Sequence, residues 1–65
     1  MTTEKLVKNL LDQCYALKRE HEGSFSLRGF KFTRANLDGL IIWLEDGGSF
    51  ELDKSEKYLL AILMD

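Results

Sequence analysis

The chain has no proline and only one cysteine among its 65 residues. Without proline, no segment carries the residue that interrupts helices and interior strands. Because Cys14 has no second cysteine to pair with, the chain cannot be a small secreted scaffold held by internal disulfides. A reducing compartment fits this composition, and we expect a cytoplasmic protein.

Long apolar runs are missing as well. No stretch approaches the roughly 18 consecutive apolar residues of a membrane-spanning helix. The first residues, MTTEKLVKNLLDQC, lack the apolar core and the small-residue cleavage site of a signal peptide. The sequence therefore predicts no membrane partner and no secretion.

Groups that carry catalysis or bind metals are scarce. Cys14 and His21 are seven residues apart, which on a helix separates them by about 10 Å along the axis, too far for a cysteine–histidine pair. A zinc site needs several ligands at short spacing, and only the dipeptide His21–Glu22 offers a fragment of one. We expect no catalytic residues, no metal, no cofactor and a protein that is not an enzyme.

The composition predicts one small globular domain covering residues 1–65. Apolar residues make up 45% and charged residues 31% of the chain, and a chain of this length buries about 60% of its unfolded surface. The net charge is −2, but it is unevenly distributed. Residues 1–34 carry seven basic and four acidic side chains, and residues 35–65 carry two basic and seven acidic ones. Such polarity can steer association with a charged partner.

Two segments have clear helical signals. From Thr3 to about His21, apolar residues recur at helical spacing, which predicts an amphipathic helix. Asp53 followed by Glu56 forms a capping-box pattern, and the segment after it is apolar on nearly every side. A short C-terminal helix is predicted there, and such a helix must be buried on every side.

The middle of the chain has two interpretations. SFSLRGFKFT, from Ser24 to Thr33, alternates aromatic and polar residues as a strand does, with Gly29 at a bulge or bend. In LIIWLEDGGSFEL and the residues before it, Asp38–Gly39 and Asp46–Gly48 predict turns between further strands. The preferred fold is therefore α+β, with an N-terminal helix, a three-stranded antiparallel meander and a C-terminal helix. The alternative makes residues 34–46 a helix, giving a mostly α fold with a small hairpin.

The meander would place a mixed aromatic and charged set of residues on its outer face. Trp and Arg are frequent anchors of protein interfaces, and Arg34 could lie over Trp43 in a cation–π contact. The alternative is that Trp43 belongs to the core. The predicted partner-binding residues are Phe32, Arg34, Ile41, Trp43, Glu45 and Glu51.

The apolar C-terminal helix is more than a 65-residue monomer is expected to cover. A homodimer would bury it. The predicted dimer interface consists of Tyr58, Leu59, Ile62 and Leu63.

The sequence predicts a small binding or regulatory protein that acts through protein–protein contacts. By analogy of size alone, an inhibitor or accessory regulator of the mobile-element type fits. The alternative function is single-stranded nucleic-acid binding, because basic residues alternate with aromatics on the predicted strand. The residues expected to carry that alternative are Arg28, Phe30, Lys31, Phe32 and Arg34.

Overall fold

The computed structural model describes residues 3–65 and contains three helices and one β-hairpin. It is a small α+β fold, and the predicted three-stranded meander is wrong because only two strands form within the described residues. The alternative with a helical middle segment matches the structure. The elements in chain order are α1 (Thr3–Glu20), β1 (Phe25–Leu27), β2 (Phe30–Phe32), α2 (Arg34–Glu45) and α3 (Lys54–Met64).

Helix α1 forms where the sequence predicted it. Its apolar stripe faces the core, with Leu10 and Cys14 buried, while lysines and acids occupy the solvent side. Glu4 lies in the first turn and Lys18 and Arg19 in the last, so the charges complement the helix dipole.

The two strands lie inside the segment that was predicted as one strand. Arg28 and Gly29 both have positive φ, of 49° and 82°, and they form a two-residue turn between β1 and β2. The register pairs Phe25 with Phe32 and Leu27 with Phe30. Phe25 and Phe32 are buried, so this hairpin attaches to the core through its phenylalanine pair.

Residues 34–45 are helical although Asp38–Gly39 resembles a hairpin turn. A capping box starts α2: the Thr33 backbone N–H donates to Asn36 Oδ1 at 3.0 Å, and the Asn36 N–H donates to Thr33 Oγ1 at 3.2 Å. Asp38 does not form a turn, and its carboxylate forms ion pairs with Lys18 and Arg34. A Cβ at position 39 would meet the Glu56 carboxylate of α3, so any larger residue there would require this side chain to move out of its capping box.

A Schellman motif ends α2. Gly48 N–H donates to Trp43 O at 2.9 Å, and Gly47 N–H donates to Leu44 O at 3.3 Å. Gly47, the residue after the C-cap, has the positive φ that this helix ending requires, at 76°, and Gly48 also has a positive φ, of 78°. The Asp46–Gly48 segment, predicted as a hairpin turn, is therefore the stop signal of a helix.

The predicted capping box starts α3. Glu56 N–H donates to Asp53 Oδ1 at 2.8 Å, and Asp53 N–H donates to Glu56 Oε1 at 3.0 Å.

Helix α2 packs against both other helices. Among residues 3–65, no helix has the length and apolar character that a bilayer crossing requires. The buried apolar core consists of Leu10, Cys14, Phe25, Phe32, Leu37, Leu40, Ile41, Leu44, Leu52 and Leu59.

Candidate interaction surface

The predicted partner-binding residues do not share a surface. Phe32 is 2% exposed and Ile41 is 5% exposed, so both belong to the core. Ile41 was placed outside by a strand register that α2 replaces, since a helix turns its side chains about 100° per residue instead of alternating them. Phe32 does lie in a strand, but β2 pairs it with the buried Phe25 and turns it toward the core. The outer sheet face that was to join these residues does not form.

Trp43 is half-buried and holds the loop after α2. Its ring packs against Gly48, and its Nε1–H donates to Phe50 O at 2.7 Å. It also packs against the core cluster, so the alternative of a core role describes it better than an open contact residue. Glu51 is exposed in the loop that follows.

Arg34 makes intramolecular contacts on the α1 side of α2. Its Nε lies 3.5 Å from Asp38 Oδ1, and its Nη1 donates to His21 O at 3.5 Å. The predicted stacking of Arg34 on Trp43 depended on strand pairing that is absent from the described chain. Glu45, also predicted at that face, accepts a hydrogen bond from the Tyr15 hydroxyl at 3.1 Å.

The predicted dimer residues divide between the inner and outer sides of α3. Leu59 is 0% exposed and lies in the core, while Ile62 and Leu63 are half-buried against it. Tyr58 is 49% exposed. The monomer therefore covers most of the apolar side chains of α3 itself, and only part of the predicted interface is accessible.

The predicted nucleic-acid residues are also divided. Arg28, Phe30 and Lys31 are exposed, whereas Phe32 is buried. Successive residues of a strand point to opposite faces, so Phe30 and Lys31 lie on different sides of the hairpin. The basic and aromatic side chains thus do not form one continuous strand surface.

A continuous apolar area does form where the hairpin tip meets α3. The rings of Phe30 and Tyr58 are in contact, with centroids 4.2 Å apart and planes tilted by 38°. Phe30 is 45% exposed and Ala61 is exposed beside it on α3. Two shallow recesses adjoin at Tyr58 and Ala61, one toward the hairpin and one toward the start of α3.

Charged side chains surround this apolar area. Arg28 forms an ion pair with Asp65 on the hairpin side, at 2.5 Å. On the other side, Lys54 and Lys57 line the recess, and their side chains have no ion pair or hydrogen bond with residues 3–65. We define the outer α3 surface by its apolar and charged members: Phe30, Tyr58, Ala61, Arg28, Lys54, Lys57 and Asp65.

The sequence singled out Tyr58, Phe30 and Arg28, but Tyr58 was assigned to a dimer interface and the other two to nucleic-acid binding. It missed Ala61, Lys54, Lys57 and Asp65. A signal for this face was present: once Asp53 is fixed as the N-cap, residues 54, 58, 61 and 65 recur every three or four positions and share one side of the helix. The proximity of Phe30 was not predictable, because it depends on how the hairpin packs.

The potentially reactive groups are engaged in the fold. Cys14 is fully buried, and this burial raises the pKa of its thiol to about 11, so the thiol stays protonated at neutral pH. His21 stacks on Phe25 with ring centroids 5.2 Å apart. Within residues 3–65, no three His, Cys, Asp or Glu side chains are grouped to hold a metal ion.

Other exposed apolar side chains lie outside the outer α3 surface. Ile42 on α2 is 56% exposed, and Phe50 in the loop before α3 is 42% exposed. Phe50 has no ring contact with another aromatic side chain of the described chain. Comparison with known proteins finds no matching family model, no similar curated protein and no similar solved structure.

Proposed function

We propose that the chain is a non-enzymatic binding protein that acts through protein–protein contacts made by the outer α3 surface. The observation that supports this proposal is the contact between the exposed rings of Phe30 and Tyr58. Single exposed apolar residues are common on any protein, but grouped ones surrounded by polar residues mark interaction sites. Aromatic and arginine side chains are also the types enriched at interfaces.

In this proposal, Tyr58 is the anchor of the contact. Its ring is in contact with Phe30 on one side, which reduces the side-chain freedom that binding would remove. Its hydroxyl supplies a polar group at the edge of an apolar area. Lys54 and Lys57 form a basic rim that favours an acidic partner surface and raises the association rate.

A small chain that binds without catalysis acts by occupying a surface of its partner. We therefore propose the role of an inhibitor or accessory regulator in the cytoplasm, of the mobile-element type expected from the size of the chain. The segment 35–65, which has an excess of acidic side chains, would contribute to the choice of partner through its net negative charge.

The test is affinity capture from the cells that make the protein, with the captured proteins quantified by mass spectrometry. Tyr58→Gln keeps a good helix former at an exposed position and removes the anchor. We expect it to abolish capture of the specific partner while the circular dichroism spectrum stays unchanged. Ile42→Gln is the matched control, because it removes an exposed apolar residue from α2. Equal capture by wild type and Tyr58→Gln would contradict the proposal.

Single-stranded nucleic-acid binding is the second candidate. It is favoured by two exposed hairpin residues that line the same recess, Arg28 and Phe30, which could contact a phosphate backbone and stack on a base. Binding of this kind weakens steeply as salt concentration rises. Titration of a labelled oligonucleotide by fluorescence anisotropy at low and high salt tests it. No binding at low salt, or binding that Arg28→Gln does not weaken, would exclude this candidate.

A further inference from the structure

The outer side of α3 carries a seam that is symmetric about its centre. Lys54, Tyr58, Ala61 and Asp65 are separated by four, three and four residues, the spacing at which side chains line one contact edge between packed helices. All four line the adjoining recesses of the outer α3 surface. A second helix lying along this edge would therefore meet all four side chains.

Two copies of this seam fit each other in antiparallel orientation. Residues 58 and 61 are equally distant from the midpoint between Leu59 and Leu60, and so are residues 54 and 65. A two-fold axis at this midpoint places Tyr58 of each copy against Ala61 of the other. The large ring thus meets the smallest apolar side chain of the seam, which is the complementarity that close helix packing needs.

The same two-fold axis matches the charges. It places the Lys54 ammonium group, which has no partner within residues 3–65, next to Asp65 of the second copy, whose carboxylate would then lie between Lys54 and its own Arg28. Each dimer would contain two such pairs of opposite charge. A parallel arrangement would instead bring Lys54 against Lys54 and Asp65 against Asp65, and such like-charge pairs disfavour it.

We infer that the outer α3 surface binds a second copy of this chain through antiparallel pairing of α3, with Tyr58 against Ala61 and Lys54 against Asp65. This inference rests on the proposed function and names the partner of that surface. Helix α3 has 11 residues, a length of about 16 Å, and a contact of this length is at the small end of specific interfaces. We therefore expect a weak dimer, with a dissociation constant between about 10 μM and about 1 mM.

Sedimentation equilibrium of the full chain, from about 10 μM to about 1 mM, measures this association. Wild type is expected to change from monomer to dimer within that range. Lys54→Glu and Asp65→Lys each create two like-charge pairs in the homodimer and are expected to weaken association about tenfold. Mixing the two variants restores two opposite-charge pairs, so a heterodimer is expected to form with near wild-type affinity.

Two controls separate the interface from the fold and from net charge. Lys8→Glu makes the same charge change on the exposed side of α1 and is expected to leave association unchanged. Thermal unfolding of Asp65→Lys measures what the loss of the Arg28–Asp65 pair costs the monomer, and an exposed ion pair contributes little.

A monomer at every concentration would overturn the inference, as would a dimer that the charge variants weaken without rescue on mixing. Both outcomes are distinguishable from failure of the proposed function. If the wild-type monomer still captures another protein and Tyr58→Gln does not, the outer α3 surface is an interaction site and only the identity of its partner is wrong.

Discussion

Two exposed surfaces of the chain use their polar side chains in opposite ways. On the seam between α1 and α2, Tyr15 donates to Glu45 at 3.1 Å and Lys18 lies 3.9 Å from Asp38. On the outer α3 surface, Lys54 and Lys57 form no such cross-link with the described residues. The polar side chains between α1 and α2 thus bind one another across the two helices. The outer α3 surface keeps the side chains of Lys54 and Lys57 and its aromatic area free for another molecule, although Arg28 and Asp65 pair with each other.

The largest expected effect separates the two sides of α3. Leu59 is 0% exposed and its sequence neighbour Tyr58 is 49% exposed. We expect Leu59→Ala to lower the free energy of unfolding by about 2–5 kcal/mol, because it opens a cavity in a small core. Urea denaturation followed by circular dichroism measures the change. For a chain of this size, that loss is a large part of the total stability.

Tyr58→Ala is the matched control for Leu59→Ala. It removes a larger side chain from the outer side of the same helix, and we expect a loss below about 1 kcal/mol. Similar losses at the two positions would show that Tyr58 is needed for the fold, and the distinction between the inner and outer sides of α3 would fail.

A smaller effect is expected at the corner between α2 and α3, which neither surface includes. Trp43→Ala removes a half-buried ring and the hydrogen bond to Phe50 O, and we expect it to cost about 2 kcal/mol. Trp43→Phe keeps a ring against Gly48 and loses the hydrogen bond, so we expect about 1 kcal/mol. Urea denaturation of both variants tests the order. No loss in Trp43→Ala would mean that the ring does not hold this loop.

The parts of the fold that the sequence predicted correctly depend on local signals. The capping box of Asp53 and Glu56 lies within four residues, and the apolar stripe of α1 repeats along one helix. Such patterns act within a single segment, so no knowledge of the rest of the chain is needed. The outer position of Tyr58 also follows from the helix that this capping box starts.

The middle of the chain was mispredicted because its ambiguous residues have distant partners. Asp38–Gly39 is typical of a hairpin turn, but Asp38 pairs with Lys18 of α1, and Gly39 gives space to Glu56 of α3. Tertiary contacts of this kind override the local structural preference of a segment, and they cannot be deduced from the sequence of that segment alone. The actual hairpin turn was missed because its first residue is Arg28, and an arginine with positive φ is uncommon.

The smallest expected effect tests whether the seam between α1 and α2 is closed by its own hydrogen bond. The pKa of Tyr15 lies above its ordinary value of 10.0. The main cause is the hydrogen bond from its hydroxyl to the Glu45 carboxylate, and partial burial and the Glu45 charge add to it. Between the ordinary pKa and the raised pKa of the folded chain, the folded chain keeps a proton that the unfolded chain releases. The free energy of unfolding therefore falls as pH rises through this range. The contribution is complete below about pH 10 and is lost as pH rises through the folded pKa.

Tyr15→Phe removes both the hydrogen bond and the titration of this hydroxyl. We expect wild type to have a higher Tm than Tyr15→Phe at neutral pH, and the difference to shrink above about pH 10. Thermal unfolding of both proteins across this range measures it, and Lys18 cancels from the comparison because both proteins contain it. A Tm difference that stays constant through the alkaline range would mean that Tyr15 does not donate to Glu45. The seam would then resemble the outer α3 surface, with an exposed aromatic side chain available to another molecule.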